Sequence, residues 1–493
     1  METLRILFYA DSHDFTFGED DLWSLLDVKD FITLKLKRIA KVTIDLVQRH
    51  PVNPLTQETV QGGNKLTKAL LSAYDEIWFF NYAQMDGKPC DFYELTEPEI
   101  YDLRDWMDTG GGVLVTGDHS LPSSIEPDPT HASYITLGRA LCHKIPRAGK
   151  FRTWVGPPTS ENQDPPLEER DNYNTQEGTS DLDNPKFEAD GLPQLLRLKD
   201  PAKPHLLFSW RLLQNNTFEP IQFFPDHSHE GQLIIPALTA DEWPAHSPVP
   251  EIIAWGSDKR PFNPKREYPI VAVFDGDPAG VGRIVADSSF HHYTKNNLNN
   301  IPDRCCGKNL PDSESALDQI AQFYGNLAYW LAPNSFRAKV AQNLLFRIAR
   351  NPNVFEVRGS SLAVLGTAAL YAITSHIGKS NVQRILSDVP EGDTNELNSN
   401  LSSLSLLGRT SEFSLLPTEH VNLLGAIIQG YHEEFRRQGI NDPAILNENP
   451  LSMNGTMGVL RDAFLQQHST HARLNTGPNS DSYRSFYEVL TNS

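Results

Sequence analysis

The sequence predicts an α/β protein, with a parallel sheet layered by helices over residues 1–335 and a helical region over residues 336–493. Three observations point there. Apolar strand-like runs alternate with helix-like runs through the first 335 residues, the pattern of parallel strands joined by crossover helices. Turns bearing Asp and His follow several of those strands directly. Beyond Pro333 the strand-like runs stop and helical spacing takes over.

The elements follow in chain order. Residues 4–9 form a short apolar run ending in Ala10-Asp11-Ser12-His13, as a buried first strand would. Residues 31–47 read as a helix end followed by a second strand. Residues 64–73 have helical spacing, and residues 76–81 read as a buried strand. Thr96 is an N-cap candidate, with Glu97, Pro98 and Glu99 in the first turn, where acidic groups suit the helix dipole and proline lacks only an unneeded N–H. Ile100, Leu103 and Met107 give this helix its apolar stripe, and Gly110-Gly111-Gly112 stops it. Residues 113–116 follow as a strand running into Gly117-Asp118-His119-Ser120. Residues 219–224, 232–235, 251–255, 270–274 and 280–286 are further strand candidates, the last entering Asp287. Residues 317–330 form a closing helix. Helical runs then occupy 336–350, 362–377, 421–437 and 457–467.

Composition narrows the function classes. The 493 residues carry 43 basic and 63 acidic side chains, a net charge of −20, which argues against non-specific nucleic-acid binding. The charge is uneven. Residues 157–191 hold ten acidic and two basic groups, net −8, and read as a long surface insertion that is expected to be mobile. Residues 336–493 hold 13 basic and 14 acidic groups, net −1. Four cysteines do not make a disulfide framework in a chain of this length. The longest apolar stretch, 362–373, falls short of the roughly 20 residues that span a bilayer. The chain opens directly on a strand-like run without a basic leader, so a cytoplasmic protein is expected.

The main chemical signal is a clustering of histidines. Asp11/His13, Asp118/His119, Asp226/His227/His229/Glu230 and Asp287/His291/His292 each lie just after a strand candidate, and together they hold six of the 16 histidines. Ligands of open parallel sheets bind at the carboxyl ends of strands. Imidazole with carboxylate can act as a general base and its orienting partner, or can ligate a divalent metal such as zinc that activates water. The plainer reading is that Asp and Ser cap the next turn and histidines fill polar loop positions. His227-x-His229 has a two-ligand spacing on an extended segment, but no His-Glu-x-x-His signature occurs. Cys90, Cys142, Cys305 and Cys306 do not sit in nucleophile elbows, and Ser120, Ser288 and Ser289 are weaker nucleophile candidates. Gly280-x-Gly282 precedes a strand, whereas a dinucleotide fingerprint follows one, and there is no P-loop.

Residues Tyr74-Asp75-Glu76-Ile77-Trp78-Phe79-Phe80-Asn81-Tyr82, with the run from Leu95 through Gly110-Gly111-Gly112 to Val115, resemble the class I glutamine amidotransferase-like fold, and within it the ThuA-like (trehalose-utilisation-like) branch. The resemblance covers roughly residues 1–155 and 200–300 and implies a flavodoxin-like sandwich. The amidotransferases place a Cys in the elbow where this chain has Gly117-Asp118-His119-Ser120, which speaks against glutaminase activity. The ThuA-like branch implies a sugar-derived substrate. Residues 336–493 show no such resemblance.

Two function classes follow. The first is a hydrolase-like enzyme on a small polar substrate. In it His119, His291, Asp118 and Asp287 are the catalytic candidates, Asp11, His13, Asp226 and His292 contact substrate, and His227 and His229 are candidate metal ligands. The second is a non-catalytic ligand-binding or sensor module. Its helical region would bind a protein partner or self-associate, with no membrane involved.

Overall fold

The computed structural model describes residues 1–11, 14–51, 63–80, 95–117, 144–151, 193–212, 218–225, 232–257, 267–298, 313–377 and 417–440. The expected insertion at 157–191 and the helix at 457–467 lie outside them. The described chain contains an eight-stranded sheet whose strands are β1 (Thr3–Ala10), β2 (Lys41–Gln48), β3 (Glu76–Phe80), β4 (Gly112–Val115), β5 (Arg197–Leu198), β6 (Glu251–Ser257), β7 (Glu267–Phe274) and β8 (Ile284–Asp287), in the order β2-β1-β3-β4-β8-β7-β6-β5. The strands β2, β1, β3, β4 and β8 run parallel. The remaining pairs, β8–β7, β7–β6 and β6–β5, are antiparallel. The purely parallel expectation fails at β6 to β8 for a simple reason. Residues 258–266 and 275–283 are too few for a crossover helix, so each link can only turn the chain back.

Helices cover both faces, which is why β1 and β3 carry apolar side chains on both sides. On one face Leu7, Tyr9, Ile77, Phe79, Val113 and Val115 pack with Leu103 and Met107 of α2 (Glu97–Asp108). On the other, Phe8 stacks on Trp78 at 5.2 Å, Phe80 meets Tyr293 at 5.5 Å, and Tyr293 meets Tyr324 at 5.5 Å. Tyr324 belongs to α3 (Ser313–Leu331) and lies parallel to Phe31 of α1 (Leu26–Leu36). An ion pair between Lys35 and Asp318 also joins these two helices.

Local chemistry sets the helix ends. Glu99 Oε2 accepts from the Thr96 backbone N–H at 2.9 Å and from Thr96 Oγ1 at 2.7 Å, closing the first turn of α2. Gly110 follows with φ +103°, a left-handed conformation that glycine adopts without strain. Gly112 is required by close approach, because a Cβ there would stand 2.0 Å from Leu331 O.

Four expected elements shrink or break. The 219–224 strand breaks into Phe218–Pro220 and Phe223–Phe224. The run 64–73 is helical only at Lys68–Leu71, behind a Thr67 N-cap whose Oγ1 accepts from Leu70 N at 3.3 Å. The 232–235 strand reduces to a bridge at Leu233, whose N–H donates to Pro269 O at 3.0 Å. Ile234 and Ile235 stay 39% exposed, and Pro236 ends the run. The 280–286 strand starts only at Ile284, because Gly280 is left-handed (φ +71°) and Gly282 lies against the Gly111 carbonyl.

By its internal contacts the chain divides into two compact units. One comprises Thr3–Trp210 and Glu219–Pro333; the other comprises Met1–Glu2, Arg211–Phe218 and the chain from Asn334. In the second unit α4 (Asn334–Ala349), α5 (Leu362–Ile377) and α6 (Pro417–Arg437) enclose an apolar interior. There Phe346 meets Tyr431 at 6.1 Å and Phe435 at 6.0 Å, and His432 Nε2 donates to Ala349 O at 2.9 Å.

Candidate functional site at the strand carboxyl ends

β1 and β3 are neighbours although β2 lies between them in sequence. The chain therefore leaves β1 and β3 in opposite directions, and their carboxyl ends form the switch point at which open parallel sheets take ligands. Asp11 is the first residue past β1. It is fully buried, and its N–H donates to Phe80 O at the end of β3 at 3.1 Å. Thr116, just past β4, donates to Phe79 O from its N–H at 3.1 Å and from Oγ1 at 2.8 Å. These bonds bring the ends of β1, β3 and β4 together.

The end of β8 is a compact polar turn. Asp287 is its last strand residue, and its carboxylate is fully buried. Oδ1 accepts from Ser289 N at 3.1 Å and stands 2.7 Å from His292 Nδ1. Oδ2 accepts from the Tyr293 hydroxyl at 2.9 Å. Ser289 Oγ accepts from His291 N at 3.2 Å, capping the 3-10 turn Phe290–Tyr293. The Tyr324 hydroxyl donates to His292 O. Burial, reinforced by the Asp287 charge, pushes the Tyr293 and Tyr324 phenols well above their ordinary range, so both stay neutral donors.

This turn touches three other strand exits. Phe290 N donates to Gly117 O at 2.7 Å, one residue before Asp118. The His292 ring meets Phe224 edge-on at 4.6 Å, two residues before Asp226. Phe15 and Trp23, from the segment after β1, reach the Phe290 ring at 5.5 and 5.7 Å. The backbone reinforces that contact, since Lys295 N donates to Ser24 O at 2.9 Å and Asn296 N to Leu22 O at 3.0 Å.

Of the ten candidate residues, Asp11, Asp287, His291 and His292 are described. His13, Asp118, His119, Asp226, His227 and His229 lie outside the described residues, as do Ser120, Glu230 and all four cysteines. The ring nitrogen that meets Asp287 belongs to His292. The His291 ring instead lies against Phe290 at 4.0 Å and Trp23 at 5.2 Å. Ser289 uses its oxygen as a cap. Among the described residues no group of three or more His, Cys, Asp or Glu side chains is placed to hold a metal ion.

A second polar network lies on the α2 face of the sheet. Arg49, just past β2, pairs with Glu99 through Nη1–Oε1 at 2.6 Å and Nη2–Oε2 at 3.0 Å, and donates to the Tyr9 hydroxyl at 3.0 Å. Glu99 Oε1 also accepts from Leu66 N at 3.0 Å. Burial works against the charged form of Glu99. The bonds from Arg49 and Thr96 outweigh it and hold the carboxyl down at about 2. The sequence signals were an arginine directly after a strand and an acid in a helix first turn, neither of which names its partner.

No family model matches the chain, and no curated protein matches it. It is similar in outline to several solved structures. A ThuA-like protein from Parabacteroides merdae shares 13% identity over 58% of this chain and 79% of its own, with a TM-score of 0.28. The N-terminal domain of mmIFT52 shares 11% over 65% of this chain and 96% of its own, with a TM-score of 0.31. A ThuA-like protein from Bacteroides uniformis shares 11% over 61% of this chain and 92% of its own, with a TM-score of 0.24. Likenesses this loose carry no weight for activity.

Proposed function

We propose that this protein is a hydrolase-like enzyme acting on a small polar substrate at the carboxyl ends of β1, β4 and β8, on a flavodoxin-like sandwich of the class I glutamine amidotransferase-like, ThuA-like kind. The observation that carries the reading is the 287–293 turn. It touches the chain one residue before Asp118, two before Asp226 and two after His13, which supports the four Asp/His segments starting beside one turn. The sequence resemblance supports a sugar-derived substrate. His119 or His291 is the general base, Asp118 and Asp11 are the polar groups beside it, and His13 and Asp226 contact substrate. His227 and His229 are the residues a divalent metal such as zinc would use. Asp287 and His292 hold the turn in place, because the carboxylate is already taken up by Ser289 N, the Tyr293 hydroxyl and the His292 ring.

The test is turnover of p-nitrophenyl esters, phosphates and glycosides by the full chain, with metal analysis of the purified protein. Hydrolysis of at least one class is expected, lowered about 10²- to 10⁴-fold in His119→Ala or His291→Ala, the usual contribution of a positioned base. Absence of turnover across the panel, or full rates in both variants, overturns the reading.

A second reading is favoured by one observation. The Asp287–His292 pair has zero exposure on both sides, and the far nitrogen of the ring faces Gln194 instead of solvent. On that reading the unit is a non-catalytic ligand-binding or sensor module, and the helical region mediates assembly with a partner or a second copy. Light scattering coupled to size-exclusion chromatography tests the self-association arm of this reading. A strictly monomeric full chain that turns over a substrate removes it.

A further inference from the structure

Gln194 is buried, 1% exposed, and precedes the main-sheet strand β5 by three residues. Its Nε2 donates to Pro225 O at 2.8 Å and lies 3.5 Å from His292 Nε2. An amide nitrogen carries two hydrogens and accepts nothing, so these two contacts use its two donors. Across the ring, the Asp287 carboxylate can only accept, and it stands 2.7 Å from Nδ1. The proton therefore belongs on Nδ1 and the lone pair on Nε2, which defines a neutral imidazole in a single tautomer. Among the described residues, titratable side chains that meet this group are Asp287 on the ring, Tyr293 on the Asp287 carboxylate and Tyr324 on the His292 carbonyl. Both tyrosines are neutral, and the Phe224 ring packs at 4.6 Å.

Building on the site proposed above, we propose that Gln194 is a positioning residue that holds His292 as the neutral Nδ1–H tautomer and ties Pro225, the residue before Asp226, to the 287–293 turn. One amide thus connects the exit toward Asp226 and His227 with the exit of β8. Substitution has distinct consequences. In Gln194→Leu, Nε2 loses its donor and Pro225 O loses its bond, while the proton stays on Nδ1. In Gln194→Glu, a second carboxylate faces Nε2, and the ring takes up a proton to become an imidazolium between two acceptors.

The experiment is a long-range 1H–15N spectrum at pH 7 of the full chain labelled with 15N-histidine, with His292 assigned by its loss in His292→Asn. The wild type is expected to show a protonated Nδ1 and an unprotonated Nε2. Gln194→Leu is expected to shift the Nε2 resonance without protonating it, and Gln194→Glu to protonate both nitrogens. A wild-type ring protonated at Nε2 overturns the proposal. So does an Nε2 resonance that Gln194→Leu leaves unmoved, and so does a neutral ring in a folded Gln194→Glu. If Gln194→Glu fails to fold, the wild type and the leucine variant decide. A failed hydrolysis panel overturns the enzymatic reading and leaves this spectrum as it is, so the two failures are distinguishable.

Discussion

Two buried polar networks stand at the carboxyl ends of the strands, on opposite faces of the sheet, and they are built differently. On the α2 face, Arg49 and Glu99 form a bidentate ion pair with side-chain exposures of 5% and 3%, and backbone N–H groups of Leu66 and Thr96 fill the remaining acceptor positions. On the α3 face, Asp287 receives a backbone N–H, a phenol and an imidazole, all from the six residues that follow it. The first network joins segments distant in sequence: the exit of β2, the loop before Lys68–Leu71 and the start of α2. The second closes one local turn. A charge that guanidinium cannot surrender suits a permanent rivet. A carboxylate holding an imidazole is a group whose protons can be rearranged, which suits the neighbourhood of a working site.

The largest expected effect lies at the rivet. Glu99→Ala or Arg49→Ala leaves an uncompensated buried charge and costs about 3–5 kcal/mol, read by denaturant unfolding, whereas the paired change Arg49→Met with Glu99→Leu costs less than either alone. Single variants within 1 kcal/mol of wild type would show that water reaches the pair and would erase the contrast between the networks. The same rivet has a pH signature. The Glu99 carboxyl is lowered from its ordinary 4.5 to about 2 in the folded chain. Its contribution is therefore complete above about pH 4.5 and is lost as the pH falls toward 2. Acid unfolding of Glu99→Gln should lack that portion of the slope.

The next effect is at the turn. Asp287→Asn keeps the shape but cannot accept from all three donors, and the donor left over costs about 1–3 kcal/mol. The loss should appear in thermal unfolding and be smaller than that of Glu99→Ala; a larger loss would invert the comparison. Smallest is Thr96→Val, which removes one of the two bonds from Thr96 to Glu99 and costs about 1 kcal/mol. A fully silent Thr96→Val would leave the low Glu99 pKa to Arg49 and the backbone N–H of residue 96.

The parallel core was legible in the sequence because its strands are continuous apolar runs and its second helix announces itself through Thr96, Glu99 and the Gly110–Gly112 stop. The antiparallel half was not. Strand direction depends on the length of the links, and a run such as 232–235 looks like a strand until Pro236 denies it a ladder. At the candidate site, the pattern of Asp and His after strands marked Asp11 and Asp287. It could not choose between adjacent histidines, since a 3-10 turn points His291 at Trp23 and His292 at Asp287. Arg49, Gln194 and Tyr293 escaped notice because each acts through a partner that only the folded chain supplies.

The placement of β8 bears on how this chain folds. Val113 pairs with Ile284 in a parallel ladder, so the central strand β4 waits for a neighbour that the chain reaches only after residues 116–283. Pairing this remote is slow, and β2, β1, β3 and β4 can assemble long before their last parallel partner arrives. The thermodynamic side runs the other way. Closure entropy grows only with the logarithm of loop length, about 0.6 kcal/mol for each doubling. By chain length alone, then, sequence added between β4 and β8 delays the sheet far more than it weakens it, and the interval that holds the acidic 157–191 stretch is the place where this fold can lengthen at least loss of stability.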